Sequence, residues 1–314
     1  MRFTTLLFLG SLGLLVACDT ANSDSNSSNT QKMTPSPLPT FDWQGHRGAR
    51  GLLPENTVPA FLKAMELNMR TLEMDAAVSK EGTVIISHEP WFSHEISTTP
   101  DGQPVTDEME KNYLIHQMTD AEISAFDVGS RGNERFPEQQ KMKVHKPTLA
   151  EVVAAINKYC SEKNAAQPYY NIEIKSRPEW DNELAPIPAK FAKVLLDEVN
   201  RLGIHDQTYI QSFDPRSLLA VNELDKTIMT AYLIENINPF AENMEKLDFI
   251  PTIYSPYYQL VTDTLVKDVY TAGMDLIPWT VNKVADMKRL KTLGVDGIIT
   301  DYPNLVNVVD NHNE

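Results

Sequence analysis

Along residues 41–302 short apolar runs alternate with longer stretches in which apolar residues recur every three or four positions. The short runs have the length and spacing of β-strands: FDWQGH (41–46), RTLEMDA (70–76), YYNIEIK (169–175) and TYIQSFD (208–214). They continue with TIMTAYL (227–233), DFIPTIYS (248–255), MDLIPWTV (274–281) and DGIITDY (296–302). Between them NTVPAFLKAMEL, TLAEVVAAINKYC, PIPAKFAKVLLDEVNRLG and KVADMKRLKTLG carry the helical period. Several begin after Asn, Thr or Pro and stop at Gly, as helix termini do. Eight strands alternating with helices and no evident linker predict a (β/α)8 TIM barrel over residues 41–314. A doubly wound open sheet competes. No Gly-rich phosphate fingerprint follows the first strand, so the barrel ranks first.

Two segments break the rhythm. AAVSKEGTVIIS (76–87) reads as a β-hairpin turning at Glu81-Gly82. A two-residue turn there pairs Lys80 with Thr83, Ser79 with Val84 and Asp75 with His88, returning His88 to the acidic end of the second strand. Residues 89–147 are polar and mixed, and too long for a barrel loop without structure of its own. They are expected to form a small inserted subdomain at the barrel mouth.

Composition narrows the range of functions. The chain has 314 residues, 42% of them hydrophobic and 23% charged, with a formal net charge of −15. Such a surface disfavours nucleic acid and anionic membranes. Residues 1–17 form an apolar run after Arg2, of signal-peptide rather than membrane-span length. The run closes on LVAC, which looks like a bacterial lipobox and makes Cys18 the expected site of lipidation. Residues 18–40, nearly all polar or Pro after the cysteine, are expected to be a flexible tether. The predicted location is the cell envelope, with the chain held on a membrane by its lipid. Cys160 is then the one remaining thiol. It ends an apolar helical pattern and is expected in the core, which leaves no disulfide framework.

The chemistry gathers where barrel strands end. These ends carry His46 and Arg47; Glu73 and Asp75; Glu173 and Lys175; Trp279 and Asn282; Thr300 and Asp301. Glu73 and Asp75 lie two apart and share a strand face, as do Glu173 and Lys175. Carboxylates crowded on an inward face repel unless a cation or proton lies between them. Glu73, Asp75 and Glu173 form an all-oxygen set suited to Ca²⁺ or Mg²⁺. Inward salt bridges, Glu173 with Lys175 and Asp75 with Arg47, are the competing account. His46 and His88, brought to one rim, can divide proton removal and proton delivery. Arg47 and Lys175 offer fixed positive charge to an anion. Together these suit phosphodiester cleavage, with Gly45, Gly48 and Gly51 letting the backbone pass close to the substrate.

HRGARGLLPENTVPAF, LEMDAAVSKEGTVIISHEP, KPTLAEVV, IEIKS, QSFDPRSL, PWTVN and GVDGIITDYP, in that order, resemble the glycerophosphodiester phosphodiesterase family over nearly all of 44–304. The resemblance implies a barrel, a divalent metal on Glu73, Asp75 and Glu173, and His46 and His88 as the acid–base pair. It also implies phosphate contacts from Arg47 and Lys175, and Trp279 packed on glycerol or forming the pocket wall. Glu55 becomes a supporting or helix-capping group. The chain departs from the pattern at Glu89, where the family usually has Asp, and at WFSHEISTT, where many members carry an arginine before paired threonines. His94 is either a local substitute for that arginine or an exposed loop residue. The expected reaction yields sn-glycerol 3-phosphate and an alcohol. The alternatives are cleavage of lysophospholipids or phosphoinositides at the membrane, and a non-catalytic lipoprotein that binds glycerol phosphates.

Overall fold

The computed structural model of the chain describes residues 38–310. The expectations for the leader, for Cys18 and for most of the tether fall outside the described residues. Among these, strands and helices alternate: β1 (Asp42–Gly45), α1 (Val58–Glu66), β2 (Thr71–Val78), β3 (Val84–Ile86), α2 (Asp120–Ser124), α3 (Leu149–Lys163) and β4 (Tyr169–Ile174). Then come α4 (Pro188–Leu202), β5 (Thr208–Ser212), α5 (Pro215–Leu224), β6 (Met229–Ile234), α6 (Phe240–Met244) and β7 (Ile253–Pro256). The chain ends with α7 (Asp263–Thr271), β8 (Asp275–Leu276), α8 (Val284–Leu293), β9 (Gly297–Thr300) and α9 (Val306–Asp310).

All strands but β3 run parallel in the order β8-β7-β6-β5-β4-β2-β1-β9. Backbone bonds Asp296 N→Leu276 O and Ile299 N→Pro278 O join the two ends and close the ring. This is the predicted TIM barrel. Its helix starts follow from side-chain caps: Thr57 accepts from the Ala60 amide, and Thr148 and Glu151 form a reciprocal capping box. Gly203 and Gly294 end α4 and α8 in the left-handed region. Cys160 is buried under α3, as expected.

Period-two alternation divides each strand between helix layer and barrel axis. On β4, Tyr170, Ile172 and Ile174 join the main apolar core, whereas Asn171 and Glu173 do not. The hairpin serves two cores by the same rule. Ala76, Val78, Val84 and Ile86 pack with the barrel, while Ala77 and Ile85 join Phe92, Ile96, Ile115 and Phe126 of the 89–147 segment.

The hairpin register differs from expectation by one residue. Val78 pairs with Val84 and Ala76 with Ile86, and the Ser87 amide, not His88, meets Asp75 O. The Ser79 hydroxyl accepts from the amides of Glu81 and Thr83, and Ser79 N bonds Thr83 O. That geometry widens the turn to three residues, with Gly82 at φ +84. His88 therefore reaches the mouth through the bend after β3 and not through the ladder itself.

The glycines after β1 are required by packing within the protein. A Cβ on Gly48 (φ +84) would meet Ala60 C at 2.6 Å, one on Gly45 would meet Gly48 O, and one on Gly51 would meet the Tyr302 ring. They let the loop press against α1 and the C-terminal segment. Gly48→Ala combines backbone strain with a main-chain clash and is expected to destabilise the fold by about 1–3 kcal/mol or more. The urea midpoint reads this; an unchanged midpoint contradicts it.

Candidate active site

Every strand-end residue nominated as a ligand, acid–base group or anion contact reaches the C-terminal mouth of the barrel. His46, Arg47, Glu73, His88, Glu173, Lys175 and Trp279 all line one cavity, and Asp75 is buried beside Arg47, Lys175 and Glu173. The β1 loop sets the first two. Arg47 sits at φ +51, in the left-handed region that non-glycine residues seldom adopt. This turns its amide onto Glu73 Oε2 at 2.8 Å. Its guanidinium bonds Glu55 Oε1 at 2.7 Å and lies 3.3 Å from Asp75. Glu55 also holds Arg50 at 2.6 Å, so it supports the cations and takes no place among the ligand carboxylates.

Glu73, Asp75 and Glu173 each offer an oxygen within 4.8 Å of the other two, and all three are buried. Register explains the cluster, because Asp75 lies directly opposite Glu173 on the neighbouring strand. The predicted ion pairs form as well: Lys175 Nζ lies 3.0 Å from Glu173 and Arg47 Nε 3.3 Å from Asp75, while Lys175 also reaches Asp75 at 3.7 Å. They do not neutralise the group evenly. Burial, then repulsion from Asp75, raises Glu73 well above the ordinary carboxylate range. Burial also raises Glu173, to about 7, despite Lys175. Asp75 goes the other way: attraction to Arg47, His88 and Lys175 outweighs burial and holds it low. Two buried carboxyls that resist ionising beside a third that stays ionised form an oxygen cage that a divalent cation would stabilise. The donor set is three carboxylates with neither sulfur nor imidazole among them, which fits a hard, oxygen-seeking cation rather than zinc.

Both histidines are held at Nδ1 by a carboxylate. His46 Nδ1 lies 2.6 Å from Asp301 Oδ1, and Asp301 is itself fixed by the Asn282 amide at 2.7 Å. His88 Nδ1 lies 2.5 Å from Glu89 Oε1, so Glu in place of Asp still reaches the ring. A carboxylate on Nδ1 leaves Nε2 as the nitrogen free for proton transfer. Burial lowers the pKa of His46 despite Asp301. Burial, then the charges of Arg47 and Lys175, lowers His88 to about 4. Both rings thus hold a proton less readily than a free imidazole.

Opposite the charged side, Trp279 forms an apolar wall. Its indole N–H donates to Ser255 O at 2.9 Å and its ring meets Phe213 edge-on at 5.2 Å. His94 does not join the site. It is an exposed loop residue bonded to Glu110 and lies apart from the cavity. The buried cation on that side is Lys146, which donates to Ser87 Oγ at 2.6 Å; Ser87 in turn donates to Glu89 O. Arg50, Lys146 and Gln211 received no role from the sequence, although Arg50 follows Arg47 by three residues and Lys146 opens the KPTL helix start.

A parallel barrel with an acidic triad, paired histidines and cations at its mouth defines a hydrolase-type site for an anionic phosphoester. The chain belongs to the glycerophosphoryl diester phosphodiesterase family, whose model matches residues 46–305. A glycerophosphodiester phosphodiesterase of Bacillus subtilis is 31% identical over 96% of both chains. The fold matches a crystal structure from Silicibacter pomeroyi, described as a putative glycerophosphoryl diester phosphodiesterase, with TM-score 0.76 and 28% identity over 88% of this chain and 94% of that one. An Oleispira antarctica phosphodiesterase, solved with sn-glycerol-3-phosphate, shares the fold at TM-score 0.69 and 22% identity over 87% and 97% of the two chains.

In metal-free protein the His88 ring is expected to titrate near pH 4. Arg47→Met removes a repelling charge and should raise that value. An NMR pH titration of the imidazole reads both; a wild-type midpoint at the ordinary 6.5 contradicts the geometry.

Proposed function

We propose that this member of the family hydrolyses glycerophosphodiesters to sn-glycerol 3-phosphate and an alcohol, using a divalent cation on Glu73, Asp75 and Glu173 and proton transfer by His46 and His88. The observation that carries the reading is the convergence of the carboxylates, both histidines, Arg47 and Lys175 on one cavity. Ca²⁺ or Mg²⁺ suits the oxygen donors. When bound, the cation supplies positive charge to a phosphate oxygen and lowers the pKa of an attacking hydroxyl.

The chain's own residues do the rest. Arg47 and Lys175 draw the phosphate to the charged side, and Trp279 meets the carbon skeleton on the other. One histidine Nε2 takes the proton of the attacking hydroxyl; the other, protonated from solvent once the substrate phosphate offsets the charges of Arg47 and Lys175, delivers its Nε2 proton to the departing alcohol. Asp301 and Glu89 stabilise whichever ring becomes imidazolium. When the attacker is the glycerol hydroxyl, the cyclic phosphate is opened by water with the two roles reversed. When it is water, cleavage takes one step. Upstream, we read residues 1–17 as a lipoprotein signal peptide, Cys18 as the lipid-bearing residue and 18–40 as the tether to a cell-envelope membrane.

Chelated protein incubated with glycerophosphocholine is expected to release sn-glycerol 3-phosphate only after Mg²⁺ or Ca²⁺ is restored, and Glu73→Ala to release none. His46→Ala and His88→Ala should each lose about 10²–10⁴-fold in kcat with the melting temperature kept. A near-normal rate removes that histidine from the mechanism. Absence of release with any cation redirects the substrate to lysophospholipids or phosphoinositides. Silence there with metal still bound identifies a binding protein. Cys18→Ala should move the chain from the membrane fraction to the soluble one; retention in the membrane contradicts the lipid anchor.

A further inference from the structure

Beneath the mouth, the middle of the barrel is crossed by side-chain amides. Gln44 on β1, Asn171 on β4 and Gln211 on β5 are all buried. The Asn171 amide nitrogen donates to Gln44 Oε1 at 2.9 Å and to Gln211 Oε1 at 3.0 Å. With their oxygens turned to Asn171, the two glutamines present their NH₂ groups outward. Gln211 Nε2 donates to Glu73 Oε1 at 2.8 Å. Gln44 Nε2 donates to Asp42 Oδ2 at 2.7 Å and also meets the Tyr209 hydroxyl. The column therefore ends on a carboxylate at each side, and its polarity diverges from Asn171.

That polarity has a cost, which shows what sets it. Asn171 Oδ1 is buried with no hydrogen-bond partner, an unfavourable state for an acceptor. Turning Asn171 over would require both glutamines to follow. Their carbonyl oxygens would then face Asp42 and Glu73, acceptor against acceptor. The observed direction is the one that gives a donor to the accepting oxygen at each end.

We propose that Asn171, acting through Gln211, is a positioning residue for Glu73. It commits Gln211 to be a donor, so that Glu73 Oε1 is held as an oriented acceptor, the role in which a carboxylate binds a cation. The Arg47 amide pins the other oxygen of Glu73. The two restraints come from β5 and from the β1 loop, and together they fix the plane of the carboxylate. This inference rests on the reading of Glu73 as a metal ligand.

The test is calorimetric titration of the metal-free full-length protein with MgCl₂ and with CaCl₂, beside melting curves. Gln211→Met keeps the side-chain length and removes the donor; Asn171→Ala removes the group that orients Gln211. Each is expected to weaken cation binding by about 10–100-fold. Gln44→Met breaks only the lower arm. It should lower the melting temperature while leaving cation affinity within about twofold, as for a site that does not touch Glu73. Wild-type affinity in Gln211→Met overturns the proposal, and so does an equal loss in Gln44→Met, which would make the column a general scaffold. If Gln211→Met does not fold, Asn171→Ala decides by the same criterion. Glu73→Gln separates the two levels. Unchanged affinity in that variant overturns the ligand assignment and this inference with it. A loss there without one in Gln211→Met overturns the column alone.

Discussion

The mouth of this barrel is organised around the repulsion between carboxylates that cannot escape into water. Glu73 and Asp75 share one face of a central strand, and strand register sets Glu173 against Asp75. Burying such charges without partners is prohibitive, and much of the neighbourhood answers that constraint. Arg47 abandons ordinary backbone geometry to bring its amide to Glu73, and its side chain lies between Glu55 and Asp75. Lys175 bridges Glu173 and Asp75. Asn56, also at positive φ, donates to Asp75 at 2.8 Å. The compensation remains uneven, and the raised Glu73 and Glu173 are the residue of that imbalance.

The same charges act on the histidines. Arg47 and Lys175 offset carboxylates and also repel a proton on His88, so the groups that make the triad tolerable help keep that ring neutral. His88 depends on more than the barrel. It stands on the bend after β3, where Lys146, at the end of the inserted segment, fixes Ser87. The segment's apolar cluster is anchored on Ala77 and Ile85 of the hairpin. Barrel and insertion thus jointly set where the His88 ring stands.

What the sequence revealed and what it hid follow from the range of the forces involved. Strand alternation is local, so the inward faces carrying Glu73, Asp75, Glu173 and Lys175 were legible, and family motifs tied them together. The hairpin register was not, because it turned on the Ser79 hydroxyl choosing two amides ahead of it, which widened the loop by one residue. Nor was the crowding of the loop glycines by α1 and Tyr302 legible, because only tertiary packing creates it. Asp301 was visible as a polar strand end, yet its bond to His46 spans the seam where the last strand meets the first. The amide column was hidden for a related reason: Gln44, Asn171 and Gln211 are far apart in the chain and look like ordinary polar strand residues.

Trp279 has its indole N–H committed to Ser255, so toward the cavity its side chain offers a ring and no donor. The cavity therefore has three unlike sides: an oxygen-lined floor, a cationic flank and an aromatic wall. Three non-equivalent contacts around one tetrahedral carbon are the minimum for telling an object from its mirror image. A ligand that touched all three sides at once would be held in one hand only, and the hydrogen bond that turns the indole N–H away is what keeps the third side unlike the other two.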